Sequence, residues 1–154
     1  MSGEVVSIHI AVKAQATPLG VTEVHAEPRR GLEGDRYFAK TGTYSETPGT
    51  GRDVTLIESE ALQAITAETG IRLEPGESRR NITTRGIALN HLVGQEFRVG
   101  DVVLRGTRLC EPCDYLQKHT GNPGLLEALL HRGGLRCDIV GSGVIRVGDP
   151  IVVS

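Results

Sequence analysis

Two stretches of the chain carry residue types that chemistry needs. In the first, Cys110-Glu111-Pro112-Cys113, a proline turn separates two thiols. A thiolate there is a nucleophile, a soft-metal ligand or a carrier of sulfur. The spacing leaves four readings open. A zinc half-site would need two more ligands, and with no second CxxC they would have to come from Cys137, His119 or His131. A redox dithiol would cycle with a disulfide, although the βαβ setting of a thioredoxin fold is missing. Two buried cysteines would act as small hydrophobes. The fourth reading is a thiolate that binds a metal or carries sulfur in a cofactor pocket.

The second stretch, Glu77-Ser78-Arg79-Arg80-Asn81-Ile82-Thr83-Thr84-Arg85-Gly86, is crowded with hydrogen-bonding side chains. In a strand, Arg79, Asn81 and Thr83 would share one face and Arg80, Ile82 and Thr84 the other. With Ile82 in the core, the first set faces a cleft, where charge-assisted bonds hold a phosphate or an oxygen-rich ring. The alternative is a solvated surface strand paired to Glu74 or Glu77. Gly31-Leu32-Glu33-Gly34-Asp35-Arg36-Tyr37 lacks the G-x-G-x-x-G of a dinucleotide site. Asp35 and Arg36 there read as turn-fixing residues. His9, His91 and His131 read as structural.

These residues need elements to position them. Apolar, β-branched runs predict strands at 5–12, 21–26, 52–57 and 80–84. Ser59 as cap, then Ala61, Leu62, Ala64 and Ile65 at helical spacing, then Gly70, predict a helix. Phe97-Arg98-Val99-Gly100-Asp101-Val102-Val103-Leu104 is echoed by Ile145-Arg146-Val147-Gly148-Asp149-Pro150-Ile151-Val152, which predicts two similar hairpins in one sheet system. A second helix is expected over 122–132, ended by Gly133-Gly134. About ten short strands with two or three helices predict a mainly β fold, a closed or nearly closed barrel. No linker or composition break divides residues 1–154, so a single domain is expected.

Composition narrows the function classes. With 38% hydrophobic and 23% charged residues and a net charge of −2, the chain is neither disordered nor collagenous. Its charge balance and 3% aromatic content argue against nucleic-acid binding, which favours basic surfaces and stacking platforms. Fourteen arginines against three lysines favour planar recognition of oxyanions. No apolar run approaches the ~18 residues of a membrane span, and Met1-Ser2-Gly3-Glu4 lacks the basic start of a signal peptide. A cytoplasmic location with reduced cysteines is expected.

Laid out in order, these segments resemble the MOSC domain family, named after the C-terminal domain of molybdenum-cofactor sulfurase, and especially its small stand-alone bacterial type. The matching pieces are Gly31-Leu32-Glu33-Gly34-Asp35-Arg36-Tyr37, Val54-Thr55-Leu56-Ile57-Glu58, Arg79-Arg80-Asn81-Ile82, Leu109-Cys110-Glu111-Pro112-Cys113, His131-Arg132-Gly133-Gly134-Leu135-Arg136 and Ile145-Arg146-Val147-Gly148-Asp149. Singly each is weak, but their order is specific. The resemblance covers essentially residues 3–153.

The resemblance implies a β-barrel that binds the molybdenum cofactor (molybdopterin), stably or transiently, or that carries sulfur to a metal centre. Catalytic relatives reduce N-hydroxylated compounds. Cys110 falls at the position of the thiolate that ligates molybdenum or holds a persulfide, with Cys113 as the other candidate thiol. Arg79 and Asn81 fall on the Arg-x-Asn segment that holds the cofactor, and Arg80 and Arg52 are further anion contacts. Cys137 reads as structural. With three lysines and no pyridoxal-phosphate domain in these residues, covalently bound pyridoxal phosphate is not expected. The implied partners are a cofactor-delivery, sulfur-donor or electron-donor protein, or a second copy of the chain, with no nucleic acid and no membrane. The alternative function is a non-enzymatic dithiol redox or zinc-binding module built on Cys110 and Cys113.

Overall fold

The computed structural model describes residues 2–11, 18–35, 53–73, 78–110 and 132–153. Arg52, Cys113 and residues 122–131 of the helix expected over 122–132 lie outside these residues. The described residues form eleven strands: β1 (Ser2–Ile10), β2 (Leu19–Val21), β3 (Glu23–Glu27), β4 (Gly31–Leu32), β5 (Val54–Glu58), β6 (Ile82–Arg85), β7 (Glu96–Val99), β8 (Val102–Leu109), β9 (Leu135–Gly141), β10 (Gly143–Arg146) and β11 (Pro150–Val152). One α-helix, α1 (Ser59–Thr69), and a 3-10 turn at Leu89–Leu92 complete them.

Strand order closes the barrel. The main sheet runs β11-β7-β8-β9-β5-β6-β1-β2, and β1 also pairs with β11, which joins seven strands into a ring. The closing strand is β1. Its first half pairs with β11 (Gly3↔Ile151), its second half with β2 (Ile8↔Val21), and its other edge with β6 (Ile8↔Ile82). A separate sheet, β10-β3-β4, contributes Val24, Ala26, Leu32 and Ile145 to the same core as the barrel's Ile8, Leu56, Leu104 and Leu135. Each fully buried aliphatic side chain contributes about 1.5–3 kcal/mol, and this core does without aromatics except Phe97.

The expected hairpin at 97–104 is present, with Val99 opposite Val102 across the Gly100-Asp101 turn. Its echo at 145–152 is not a hairpin. β10 pairs with β3, and β11 pairs with β7 and β1, so the Gly148 turn carries the chain from one sheet to the other. Pro150 gives the reason: it stands where Val102 stands in the first copy, and it has no N–H to close a two-residue turn. The strand expected at 21–26 divides into β2 and β3 at Thr22.

Helix α1 packs Ala61, Leu62 and Ile65 inward, where Leu62 and Ile65 meet Ile57 and Leu73 in a second, smaller apolar cluster. Gly70 ends it in the left-handed conformation, as expected. The cap differs from expectation. Glu58 occupies the N-cap position and makes no side-chain cap bond, because its carboxylate accepts the Leu89 N–H at 3.1 Å. The Ser59 hydroxyl instead donates to Glu60 at 3.4 Å.

Asp53, buried ahead of β5, fastens the small sheet to the barrel. Its Oδ2 accepts the Ile139 N–H of β9 at 2.8 Å and the Arg29 N–H of the β3–β4 turn at 3.2 Å. Burial pushes this carboxyl above its usual range, against the two N–H bonds that favour the anion, and nearby Asp138 adds to the rise. The folded carboxyl therefore keeps its proton to higher pH than the unfolded one. The resulting stabilisation is present at acid pH and is lost as pH rises through the folded value. Glu58 is raised in the same direction, chiefly by burial. Urea unfolding should accordingly show stability falling as pH rises above the ordinary carboxylate range, near pH 4. Asp53→Asn, which keeps an acceptor oxygen and removes the charge, should flatten that fall, and an unchanged slope would exclude Asp53 as its source.

Candidate functional site

The segment ahead of β6 determines where the candidate residues lie. Arg79 adopts a left-handed backbone, with φ of 59°. The strand begins only at Ile82, so the face alternation expected from Arg79 onward starts three residues later. Thr83 and Thr84 are then both buried.

Asn81 is bound on two sides. Its Oδ1 accepts the Thr55 N–H at 3.0 Å and the Thr55 hydroxyl at 3.2 Å, and its Nδ2 donates to the His9 carbonyl at 3.1 Å. The backbone repeats the link: Asn81 N–H donates to the Thr55 carbonyl at 3.0 Å, and the Asn81 carbonyl accepts the His9 N–H at 2.6 Å. A side-chain amide thus continues the ladder between β5, β6 and β1 where β6 has not yet begun.

Arg80 reaches the other way, across β5. Its Nε donates to the Gly133 carbonyl at 2.7 Å, and its terminal nitrogens donate to the carbonyls of Ser78 at 3.5 Å and Cys110 at 3.4 Å. One guanidinium joins the lead-in to β6, the lead-in to β9 and the end of β8. Gly134 lets the lead-in to β9 lie close against β5. Gly134 has φ of 114°, and a Cβ there would overlap the Leu56 carbonyl oxygen. Arg132 anchors the same segment through a bidentate pair with Glu68 of α1, at 2.9 and 3.0 Å.

Cys110 follows β8 directly and is 1% exposed. Its N–H donates to the Gly134 carbonyl at 2.7 Å, and its carbonyl receives Arg80, so its backbone is held from both sides. The structure therefore brings Arg80 and Cys110 together, and Arg79 precedes Arg80 at the left-handed turn. Asn81 lies in the same segment, with its amide engaged by β5 and β1. Among the described residues Cys110 and Cys137 are the free cysteines. They differ in setting. Cys137 is part of the main core, where burial first, and then its negative neighbours, push its thiol well up. Cys110 belongs to neither apolar cluster.

No group of three His, Cys, Asp or Glu side chains gathers as a metal site among the described residues. No helix among them is long and apolar enough to cross a membrane. Asp35 is buried and fixes its turn, as its sequence setting suggested: its N–H donates to the Leu32 carbonyl at 3.0 Å and its Oδ1 accepts the Ala11 N–H at 2.8 Å. Sequence reading missed Thr55 and His9 as partners of Asn81. It also missed Arg136, which stands opposite Arg108 on the strand pair leading to Cys110. A basic residue at the start of β9 was the available signal.

The MOSC domain family model matches residues 22–152. Solved structures of similar fold include those of three proteins. The YuaD protein of Bacillus subtilis has a TM-score of 0.81 at 20% identity, over 98% of this chain and 94% of that one. YiiM of Geobacillus stearothermophilus has a TM-score of 0.76 at 18% identity, over 99% and 75%. YiiM of Escherichia coli has 0.74 at 18%, over 100% and 70%. At these identities the likeness is one of fold. No curated protein matches the chain.

Asn81→Ala removes three side-chain bonds and leaves the His9 carbonyl and Thr55 groups unmatched. The expected loss in urea unfolding is about 2–4 kcal/mol. A loss below about 1 kcal/mol would show that the neighbouring backbone bonds suffice without the amide.

Proposed function

The chain belongs to the MOSC domain family, and from that premise we propose that it binds the molybdenum cofactor or carries sulfur through the thiol of Cys110. The family is linked to molybdenum-cofactor binding and to sulfur-related function. The observation that carries the reading is the contrast between the two described thiols. Cys137 lies within β9 in the main apolar core, whereas Cys110, also buried, directly follows β8, with its backbone fixed by Gly134 and Arg80.

The residues fit such a group. A thiolate suits a soft metal or a persulfide, and guanidinium groups suit the anionic tail of a pterin. Cys110 would hold the metal or the sulfur. Arg79, with Arg52, would take the anionic part, while Arg80, whose guanidinium already binds the carbonyls of Gly133, Ser78 and Cys110, would hold the Cys110 backbone in place. Asn81 would act by fixing the turn that presents the two arginines, since its amide is already engaged with Thr55 and His9. The cofactor, when bound, supplies the redox chemistry by which an N-hydroxylated compound would be reduced. The protein's share is to position the thiol, neutralise the anion and receive sulfur, cofactor or electrons from a donor protein.

The test is anaerobic purification from a cofactor-producing host. Molybdenum, pterin and cysteine-bound sulfur are then assayed in the wild type, Cys110→Ala and Cys113→Ala. The expected result is a load in the wild type that Cys110→Ala loses and Cys113→Ala keeps. A wild type no richer than Cys110→Ala in any of the three would overturn the proposal.

A further inference from the structure

Among the described residues, three enclosed side-chain polar atoms make no hydrogen bond, and they lie together on one strand pair. They are the Ser7 hydroxyl and Nδ1 of His9 on β1, and the Thr83 hydroxyl on β6. An enclosed hydroxyl or ring nitrogen without a partner costs more than a hydrogen bond yields, so isolated cases are few. Three on one patch call for a common partner.

The register shows how they meet. β1 is bulged between Val5 and Ser7, so Val5 stands opposite Thr84 and Ser7 opposite Thr83, with Val6 as the extra residue. The next pair, Ile8↔Ile82, lies in the core, which puts Ser7, His9 and Thr83 on the outer face of the wall. Directly opposed residues have Cβ atoms about 4.5–5.5 Å apart. Even so, the two hydroxyls do not bond each other. His9 follows Ser7 by two residues, on the same face and diagonal to Thr83.

This outer face is closed to solvent at its centre. Thr83 is 0% exposed, and Ile57, beside it on β5, packs under Leu62 and Ile65 of α1. On the other side the His9 ring lies toward β2, where a Cβ on Gly20 would stand 3.5 Å from Nε2. Burial holds the His9 ring below its usual pKa. The ring is therefore neutral near pH 7, and Nδ1 serves as donor or acceptor according to the tautomer.

We propose that Ser7, His9 and Thr83 form a binding site for a single water molecule, which joins the bulge of β1 to β6. Buried water makes about three hydrogen bonds, and two hydroxyls with one neutral imidazole nitrogen supply three partners of either polarity. A water about 2.8 Å from each hydroxyl spans a separation that the hydroxyls do not close directly. One cross-strand step away, Asn81 links β6 to β1 without an intermediary, through the His9 carbonyl and N–H. The water does the same where the bulge interrupts the ladder of the barrel's closing strand.

Oxygen-17 relaxation dispersion of the full chain counts the water molecules that stay bound far longer than surface water does. Thr83→Val, close in shape but without the hydroxyl, should hold one such water fewer than the wild type. Ser7→Ala should do the same, and it carries the test if the valine variant does not fold. The melting point gives an independent sign. A hydroxyl bonded to water stabilises the fold, so Thr83→Val should melt about 2–4 °C lower. An orphaned hydroxyl would instead be relieved by its removal, and the variant would melt higher. A high-resolution crystal structure should show the water within about 3.2 Å of all three atoms. An unchanged count of bound waters, a higher melting point for Thr83→Val, or a protein group in the water's place would overturn the proposal.

Discussion

A single side-chain amide stands in for strand pairing at one edge of this barrel. β6 begins at Ile82, yet β5 and β1 must be held on either side of the residues before it. A half-buried amide without partners would cost more than a hydrogen bond yields, so such a group persists only where its bonds are made. Asn81 makes them to both neighbours, and the backbone bonds at Thr55 and His9 share the load. The left-handed Arg79 follows from this fixed point, and so does the direction of Arg80, which leaves the same segment to bind carbonyls beyond β5.

The same economy of polar contacts appears wherever segments meet. Asp53 joins two sheets through two N–H groups, Asp35 joins a turn to the end of β1, and Glu58 gives up helix capping to hold the 3-10 turn. Each is a carboxylate accepting backbone donors that no strand satisfies. An aliphatic core supplies most of the stability but little directional information, because Val, Ile and Leu pack in many ways. In this chain the directional constraints come from these few buried acceptors, from Asn81 and from arginine forks.

Much of the fold is legible in the chain. The β1, β5 and α1 segments announce themselves by β-branched runs and helical spacing, and Gly70 marks the helix end. The Gly100-Asp101 turn reads as the hairpin it is. Its echo at Gly148-Asp149 reads the same way but is not one, because partner choice depends on a missing proline N–H and on β3 being near, which local pattern does not reveal. The candidate site is legible in its residue types alone. Arg79, Arg80 and Asn81 look alike as polar residues of one strand. The structure gives Asn81 to the fold and turns Arg80 toward Cys110, and it sets Arg136 opposite Arg108 from a distant part of the chain.

By itself, then, the sequence determined the family and the mainly β barrel, since these rest on residue type, period and order. Only the tertiary structure decided what each candidate residue contacts. Register across β8 and β9, the left-handed turn at Arg79 and the sorting of Cys110 from Cys137 depend on strands far apart in sequence coming side by side. A hydrogen bond is made with whatever group the closed barrel brings within about 3 Å, and no local pattern specifies that neighbour.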